Sequence, residues 1–157
     1  MQPIEFDRTD LRILAFLQDN GRASNLELAQ AVNLSPSQCH RRHRRLEQLG
    51  AITRYEARLD AGKIGLGVVA FVHVAMEKGQ IANLRKFTQA IRQLPAVLEC
   101  FSVTGDFDYV IKVVERDLKS LSQFLMDTLM TLPGVSNVRS SVCLDEIKNT
   151  GSLPLPG

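Results

Sequence analysis

Residues 34–50 read Leu-Ser-Pro-Ser-Gln-Cys-His-Arg-Arg-His-Arg-Arg-Leu-Glu-Gln-Leu-Gly and are punctuated at both ends for one short helix. Ser35 offers a side-chain oxygen to the backbone N–H groups left over at a helix start, and Pro36 has the fixed φ that suits the first helical position. Gly50 can take the left-handed conformation in which helices commonly stop. At 100° per residue, Cys39, His43 and Leu46 share one face, with Leu49 at its margin. Ser37, Arg41, Arg44, Arg45 and Gln48 share the opposite face. The spacing predicts a buried stripe and a basic outer face, in which Arg41, Arg42, Arg44 and Arg45 crowd four guanidinium groups into five residues.

Upstream, Asp7 or Thr9 can cap a first helix that runs to about Asp19, with Leu11, Leu14, Ala15 and Leu17 as its apolar stripe and Asn20-Gly21 as its stop. Ser24 or Asn25 can cap a second, shorter helix carrying Leu26, Leu28, Ala29 and Val32. Asn33-Leu34 then makes a tight connection to Ser35. Two short helices joined this way, the second with a basic face, are the signature of a helix-turn-helix, here at about residues 25–44. Downstream, Ile52–Leu59 alternates as a short strand would, either a wing or a hinge strand. Residues 6–59 are therefore expected to form a winged helix-turn-helix of three helices and a short strand. Residues 60–67, with three glycines, are the expected hinge.

The rhythm then changes. Val68–Met76 is apolar at both parities, interrupted by His73, which predicts a strand buried on both sides. Ile81, Leu84, Phe87, Ile91 and Leu94 follow helical spacing up to Pro95. Val97–Val103 and Tyr109–Val114 alternate around the turn at 104–108. Leu118, Leu121, Leu125, Leu129 and Leu132 form another helical stripe up to Pro133-Gly134, and Val135–Leu144 is a last strand. The order βαββαβ is the ferredoxin-like plan, with an antiparallel sheet and both helices on one face. The fold class is α+β in two domains, the second spanning 68–148. An apolar second sheet face needs a cover, and a second copy of the chain is the simplest one, which predicts a homodimer suited to a DNA palindrome. Residues 149–157 hold Pro154 and Pro156 and are expected to form an irregular tail, docked on a neighbour through Leu153 and Leu155.

Composition bounds the function. The 157 residues are 45% hydrophobic and 23% charged, which suits one ordinary domain or two small ones and argues against disorder. The net charge is only +2, yet residues 35–58 hold six arginines against two glutamates, so the basicity is a local patch. No apolar run approaches the ~20 residues needed to span a bilayer. Residues 1–10 lack the apolar core of a secretory signal, so a cytoplasmic, nucleoid-associated location is expected. Cys39, Cys100 and Cys143 have no close pairing and lie in apolar-patterned segments, which predicts buried thiols rather than disulfides or a zinc ribbon.

Four arginines and no lysine on the outer helix of a helix-turn-helix point to double-stranded DNA, because the guanidinium fork binds phosphate or guanine bidentately. The bland alternative is a solvated helix face. Arg41 and Arg45 are expected to point most directly outward and Arg42 to join them. Ser35, Ser37 and Gln38 lie near the helix start where bases are reached, and Arg44 and Arg54 are expected on the phosphate backbone. Cys39 and His43 stand at i and i+4 but have no third ligand in this half, so packing rather than a metal site is expected. No nucleophile–base pair, phosphate loop or metal cluster is evident, so the chain is not expected to be an enzyme or to hold a cofactor. Two other roles are compatible with the residues. One is a metabolite sensor that regulates a partner protein, and the other is a nucleoid-packing protein with weak sequence preference. A protein-docking helix would show apolar anchors where this one shows arginine.

Several segments together resemble the Lrp/AsnC ("feast/famine") family of transcription regulators. They are Asp7-Arg-Thr-Asp-Leu-Arg-Ile-Leu14, Asn20-Gly-Arg22, Asn25-Leu-Glu-Leu-Ala29, Leu34-Ser-Pro-Ser-Gln-Cys39, Arg44-Arg-Leu-Glu47 and Gly50. Val103-Thr-Gly-Asp-Phe-Asp-Tyr109 and Leu132-Pro-Gly-Val135 complete the set. The resemblance implies a winged helix-turn-helix followed by an α/β domain that dimerises and assembles further, to tetramers or octamers, and binds an amino-acid effector between subunits. It implies effector contacts from the turn, at Val103, Gly105, Asp106, Asp108 and Tyr109. The family's Thr-x-Thr pair on the last strand falls at Val138 and Ser140, so only Ser140 keeps a hydroxyl. His43 departs from the aliphatic residue usual in the family. Read without the family, the turn needs no ligand, since glycine supplies positive φ and aspartate suits a turn. Its two carboxylates would also suit an α-ammonium group, with turn N–H groups and Ser140 for the α-carboxylate.

Overall fold

The computed structural model describes residues 5–77, 79 and 81–156. The chain divides into two compact units: Met1–Arg58 together with Lys148–Gly157, and Leu59–Ile147.

The first unit is built on α1 (Arg8–Asp19), α2 (Asn25–Ala31) and α3 (Pro36–Gln48). Asp7 caps α1, with a reciprocal contact from the Asp10 side chain to the Asp7 N–H, and Ser24 with Glu27 makes the same capping box on α2. At seven residues α2 is too short to persist alone in water. Burial holds it in place: Leu28, Ala29 and Val32 pack with Ile13, Leu17, Cys39 and Leu46. Asn33, at φ 55°, makes the left-handed corner between α2 and the Ser35 cap. Two stripes differ from the expected ones. On α1 the buried face is Asp10, Ile13 and Leu17, one residue away from Leu11, Leu14 and Ala15. On α2, Leu26 stays 57% exposed.

Ile52–Leu59 forms no strand. A strand needs a hydrogen-bonded neighbour, and the described residues of this chain supply none, so the segment lies outside the four-stranded sheet. Residues 149–156 are irregular, as two prolines require, and they dock within the first unit of the same chain. The side-chain amide of Gln18 receives the Leu153 N–H and donates to the Leu153 carbonyl.

In the second unit, β1 (Val68–Met76), α4 (Ile81–Ile91), β2 (Val97–Ser102), β3 (Tyr109–Glu115), α5 (Leu118–Gln123) and β4 (Val135–Val142) give an antiparallel sheet of order β2-β3-β1-β4. The helix-side core joins Ala70, Val72, Val74 and Met76 to Phe87, Ile91, Ile111, Val113, Leu121, Phe124 and Leu129. After α5 the helical path widens to a π turn over Phe124–Thr128 and tightens to a 3-10 turn over Leu129–Thr131. This detour brings Phe124 and Leu129, five residues apart, to one core, so the expected stripe of leucines does not hold: Leu118 is exposed and Leu125 only partly buried.

Among the described residues, only one sheet face is covered within the chain. On the other, Phe71 is 42% and Phe101 54% exposed, with His73, Val110 and Lys112 beside them in register. Both helices pack on the same face, so within one chain β1 is covered on one side, and the expected burial of its other side rests on the second copy. His73 leans on Phe107, ring centroids 5.3 Å apart. Of the three thiols Cys39 alone is buried; Cys100 is exposed on the outermost strand β2 and Cys143 is half-buried.

Candidate DNA interface and effector turn

Helix α3 is held to its unit through a buried carboxylate. Asp10 is 1% exposed, and its two oxygens receive Arg42 Nη1 at 2.8 Å and Arg45 Nη1 at 3.0 Å. Arg42 Nη1 also reaches Asp7 at 2.6 Å. Hydrogen bonds from the Asp10 backbone N–H and from Arg42 hold the Asp7 carboxyl below the usual carboxylate range. A carboxylate so enclosed needs charged partners, since an unpaired buried charge is strongly unfavourable. Arg42, expected at the DNA face, is therefore drawn inward because α1 presents two acids to it. Arg45 is shared: one side meets Asp10, while half of the side chain stays in solvent.

What remains on the outer face is Ser37, Gln38, Arg41 and Arg44, all exposed. Among the described residues neither Arg41 nor Arg44 has an ionic partner. Ser35 accepts the Gln38 N–H at 3.4 Å and lies 3.3 Å from the Ser37 hydroxyl, so it serves the helix start. Arg54, beyond the helix, pairs with Glu56 at 2.7 Å in the open. At the far end of α3, His43 Nε2 lies within hydrogen-bond reach of the Tyr55 hydroxyl, which donates to Glu47 at 3.2 Å. Burial, with the Glu47 charge beside it, pushes the Tyr55 phenol up to about 12. His43 thus ties the segment after α3 back to the helix, while Leu49, expected at the margin of the buried stripe, is 39% exposed.

Asp10 and Tyr55 were not legible as site residues from pattern alone. Asp10 did leave a signal: it stands at i, i+3 and i+7 with Ile13 and Leu17, an acid on an apolar stripe beside an arginine-rich helix.

In the second unit the turn between β2 and β3 is closed by Val103 N–H donating to the Asp108 carbonyl at 3.0 Å and Asp108 N–H donating to the Val74 carbonyl at 2.9 Å. Gly105 sits at φ 119°, a conformation that favours glycine. The Asp108 carboxylate accepts the Met76 N–H at 2.7 Å, so it is engaged in joining the turn to the end of β1. The Asp106 carboxylate is exposed and, among the described residues, unpartnered. Tyr109 packs its ring on Phe87 at 4.8 Å, and burial, then the neighbouring Cys100 and Asp108, raise its phenol pKa. Val103, Gly105, Asp106, Asp108 and Tyr109 are thus brought together. Ser140 is not among them: on β4 it pairs with Val72 of β1, two strand spacings, about 10 Å, across the sheet from β3.

Among the described residues no group of three His, Cys, Asp or Glu side chains is placed to hold a metal, and no helix is long and apolar enough to cross a membrane.

Residues 69–153 match the family model of the Lrp/AsnC ligand binding domain, and residues 6–53 match a winged helix-turn-helix DNA-binding model. The leucine-responsive regulatory protein of Escherichia coli strain K12 is 38% identical over 149 residues, covering 95% of this chain and 91% of that protein. A transcriptional regulator from Neisseria meningitidis, solved in complex with L-Met, superposes with a TM-score of 0.93 at 41% identity, over 96% of this chain and 97% of that one. An AsnC family transcriptional regulator from Agrobacterium tumefaciens does so with a TM-score of 0.90 at 32% identity, over 95% and 97% of the two chains.

Proposed function

The chain belongs to the Lrp/AsnC family of DNA-binding transcription regulators, and on that footing we propose that it reads paired half-sites as a homodimer, with Arg41 and Arg44 as its principal free cations. The observation that carries this reading is the division of labour on α3. Asp7 and Asp10 together neutralise Arg42 and part of Arg45, leaving Arg41 and Arg44 without an ionic partner among the described residues, beside Ser37 and Gln38. Two α3 helices related by a two-fold axis enter successive major grooves about 34 Å apart. The partly apolar sheet face around Phe71 and Phe101 is the surface that a second copy covers, and tetramers or octamers build on that dimer. Residues 60–67 act as the hinge, and the protein works in the cytoplasm on the nucleoid.

The effector is an amino acid, in keeping with the L-Met bound by the Neisseria regulator. Asp106 receives the α-ammonium group, since Asp108 is engaged with Met76, and the exposed turn N–H groups face the α-carboxylate. Ser140 contributes from a neighbouring subunit.

Arg41→Ala and Arg44→Ala should each weaken operator binding and lower the salt slope of log K by about 1 per lost phosphate contact. Titration of a labelled duplex at several salt concentrations measures both, and wild-type slopes in both variants would overturn the reading. A thermal-shift screen with L-Met and the other amino acids should raise the melting temperature of the wild type but not of Asp106→Asn. An equal rise in the variant would remove Asp106 from the effector site.

A further inference from the structure

Resting on the reading that α3 meets DNA, we propose that Asp10 is a positioning residue for recognition: it holds the Arg45 guanidinium in one pose, so that Arg45 discriminates the operator while Arg41 and Arg44 supply affinity. The holder is itself fixed. Asp10 stands in the first turn of α1, where its N–H donates to the Asp7 carboxylate at 2.8 Å and its own Oδ2 accepts the Asp7 N–H at 3.4 Å. Ile13 and Leu17 anchor the same face of α1 in the core. Asp10 Oδ1 receives Arg42 Nη1 at 2.8 Å and Oδ2 receives Arg45 Nη1 at 3.0 Å, so both oxygens are engaged. Arg45 gives one N–H to this contact and keeps 50% of its side chain exposed. A guanidinium carries about five N–H donors in a planar fork, so most of the fork is left over from Asp10.

Charge separates Arg45 from its neighbours. Asp7 and Asp10 balance Arg42 and Arg45, so this cluster is neutral in sum. Its exposed edge offers hydrogen-bond donors with little net attraction for phosphate. Arg41 and Arg44, exposed and without an ionic partner among the described residues, carry the unbalanced charge that draws any duplex. A fork held in place distinguishes guanine O6 and N7 from other base edges, because its order is supplied beforehand and it cannot bend to suit the wrong base. Arg45 lies one helical turn beyond Arg41 on the same side of α3, so a helix seated in a major groove brings both to the DNA.

The test compares the full chain, Asp10→Asn, Arg45→Lys and the double variant on a duplex selected from a random pool and on a scrambled duplex, at one salt concentration. Arg45→Lys keeps the charge but loses the fork, and Asp10→Asn keeps the fork but loses its holder. Each should cut the preference for the selected duplex about ten-fold, the scale of one base contact, with no loss on the scrambled duplex. The double variant should lose no more than either single one. In the DNA-free wild type, NMR relaxation of the Arg45 Nε–H should report an ordered side chain, and in Asp10→Asn one as mobile as Arg41. An unchanged preference in either single variant would overturn the proposal. Tighter binding of Asp10→Asn to both duplexes by one factor would make Asp10 a mere counter-charge, and equal weakening on both would mean general damage; either also overturns it. So would losses that add in the double variant, or a wild-type Arg45 as mobile as Arg41. If Asp10→Asn does not fold, Arg45→Lys and the wild-type relaxation decide. A wild type that binds neither duplex, or both equally, would instead contradict the regulator reading, and relaxation alone would then decide whether Asp10 holds Arg45.

Discussion

Asp10 is the residue on which the DNA-binding unit turns, because one buried carboxylate is ion-paired with two of the four arginines on α3. Removing one member of a buried charge pair leaves the others uncompensated, at a cost of about 3–5 kcal/mol. Arg42 and Arg45 keep some solvent contact, so Asp10→Asn should fall near or below the lower end, about 2–3 kcal/mol, in urea unfolding of the intact chain. A loss under ~0.5 kcal/mol, the range of an ordinary surface change, would show that the pair is incidental. At this scale the sequence was readable where a residue's role follows from its own chemistry: Ser35 and Asp7 as caps, Cys39 and Leu46 as core. It was misread where the role depends on what another helix presents. Arg42 looks like its neighbours on α3 until α1 brings two acids to it, and Cys100 looks buried until β2 turns out to be the outermost strand.

Among the elements, the helices of the first unit and the four strands of the second follow from capping signals and periodicity, which are local. The segment after α3 and the second helix of the sheet unit do not, because each answers to a partner. Ile52–Leu59 has the alternation of a strand without a neighbour to bond. The leucine stripe from Leu118 is interrupted by a π turn that serves Phe124 and Leu129. The corner leading into β4 is the least tolerant joint. Gly134 has φ 80°, and an added Cβ would lie 2.7 Å from Asn83 Cβ and 3.1 Å from Met76 Cε. The left-handed conformation alone costs an L-residue about 1–2 kcal/mol. Gly134→Ala should therefore destabilise the second unit by at least that amount, read from its urea midpoint, whereas Gly105→Ala would meet nothing within 4 Å and bear only the backbone strain of φ 119°. A midpoint unchanged in Gly134→Ala would contradict the crowding.

At the scale of the whole molecule, two small cores carry separate tasks. On the proposed reading, one presents Arg41 and Arg44 to DNA, and the other presents the Gly105–Tyr109 turn to an amino acid and a sheet face to a second copy. The order βαββαβ made the sheet unit legible, and the arginine-rich helix made the DNA-binding unit legible. The residues from Val103 to Tyr109 were legible as one turn, whereas the place of Ser140, across the sheet from that turn, depends on the strand order and was not. The central claim is that the paired α3 helices read sequence. It is tested most directly by comparing affinity for a duplex selected from a random pool with affinity for a scrambled duplex of equal length at one fixed salt concentration. The selected duplex should bind at least about 10³-fold more tightly. Equal affinity for the two would contradict it and identify the chain as a DNA-packing protein.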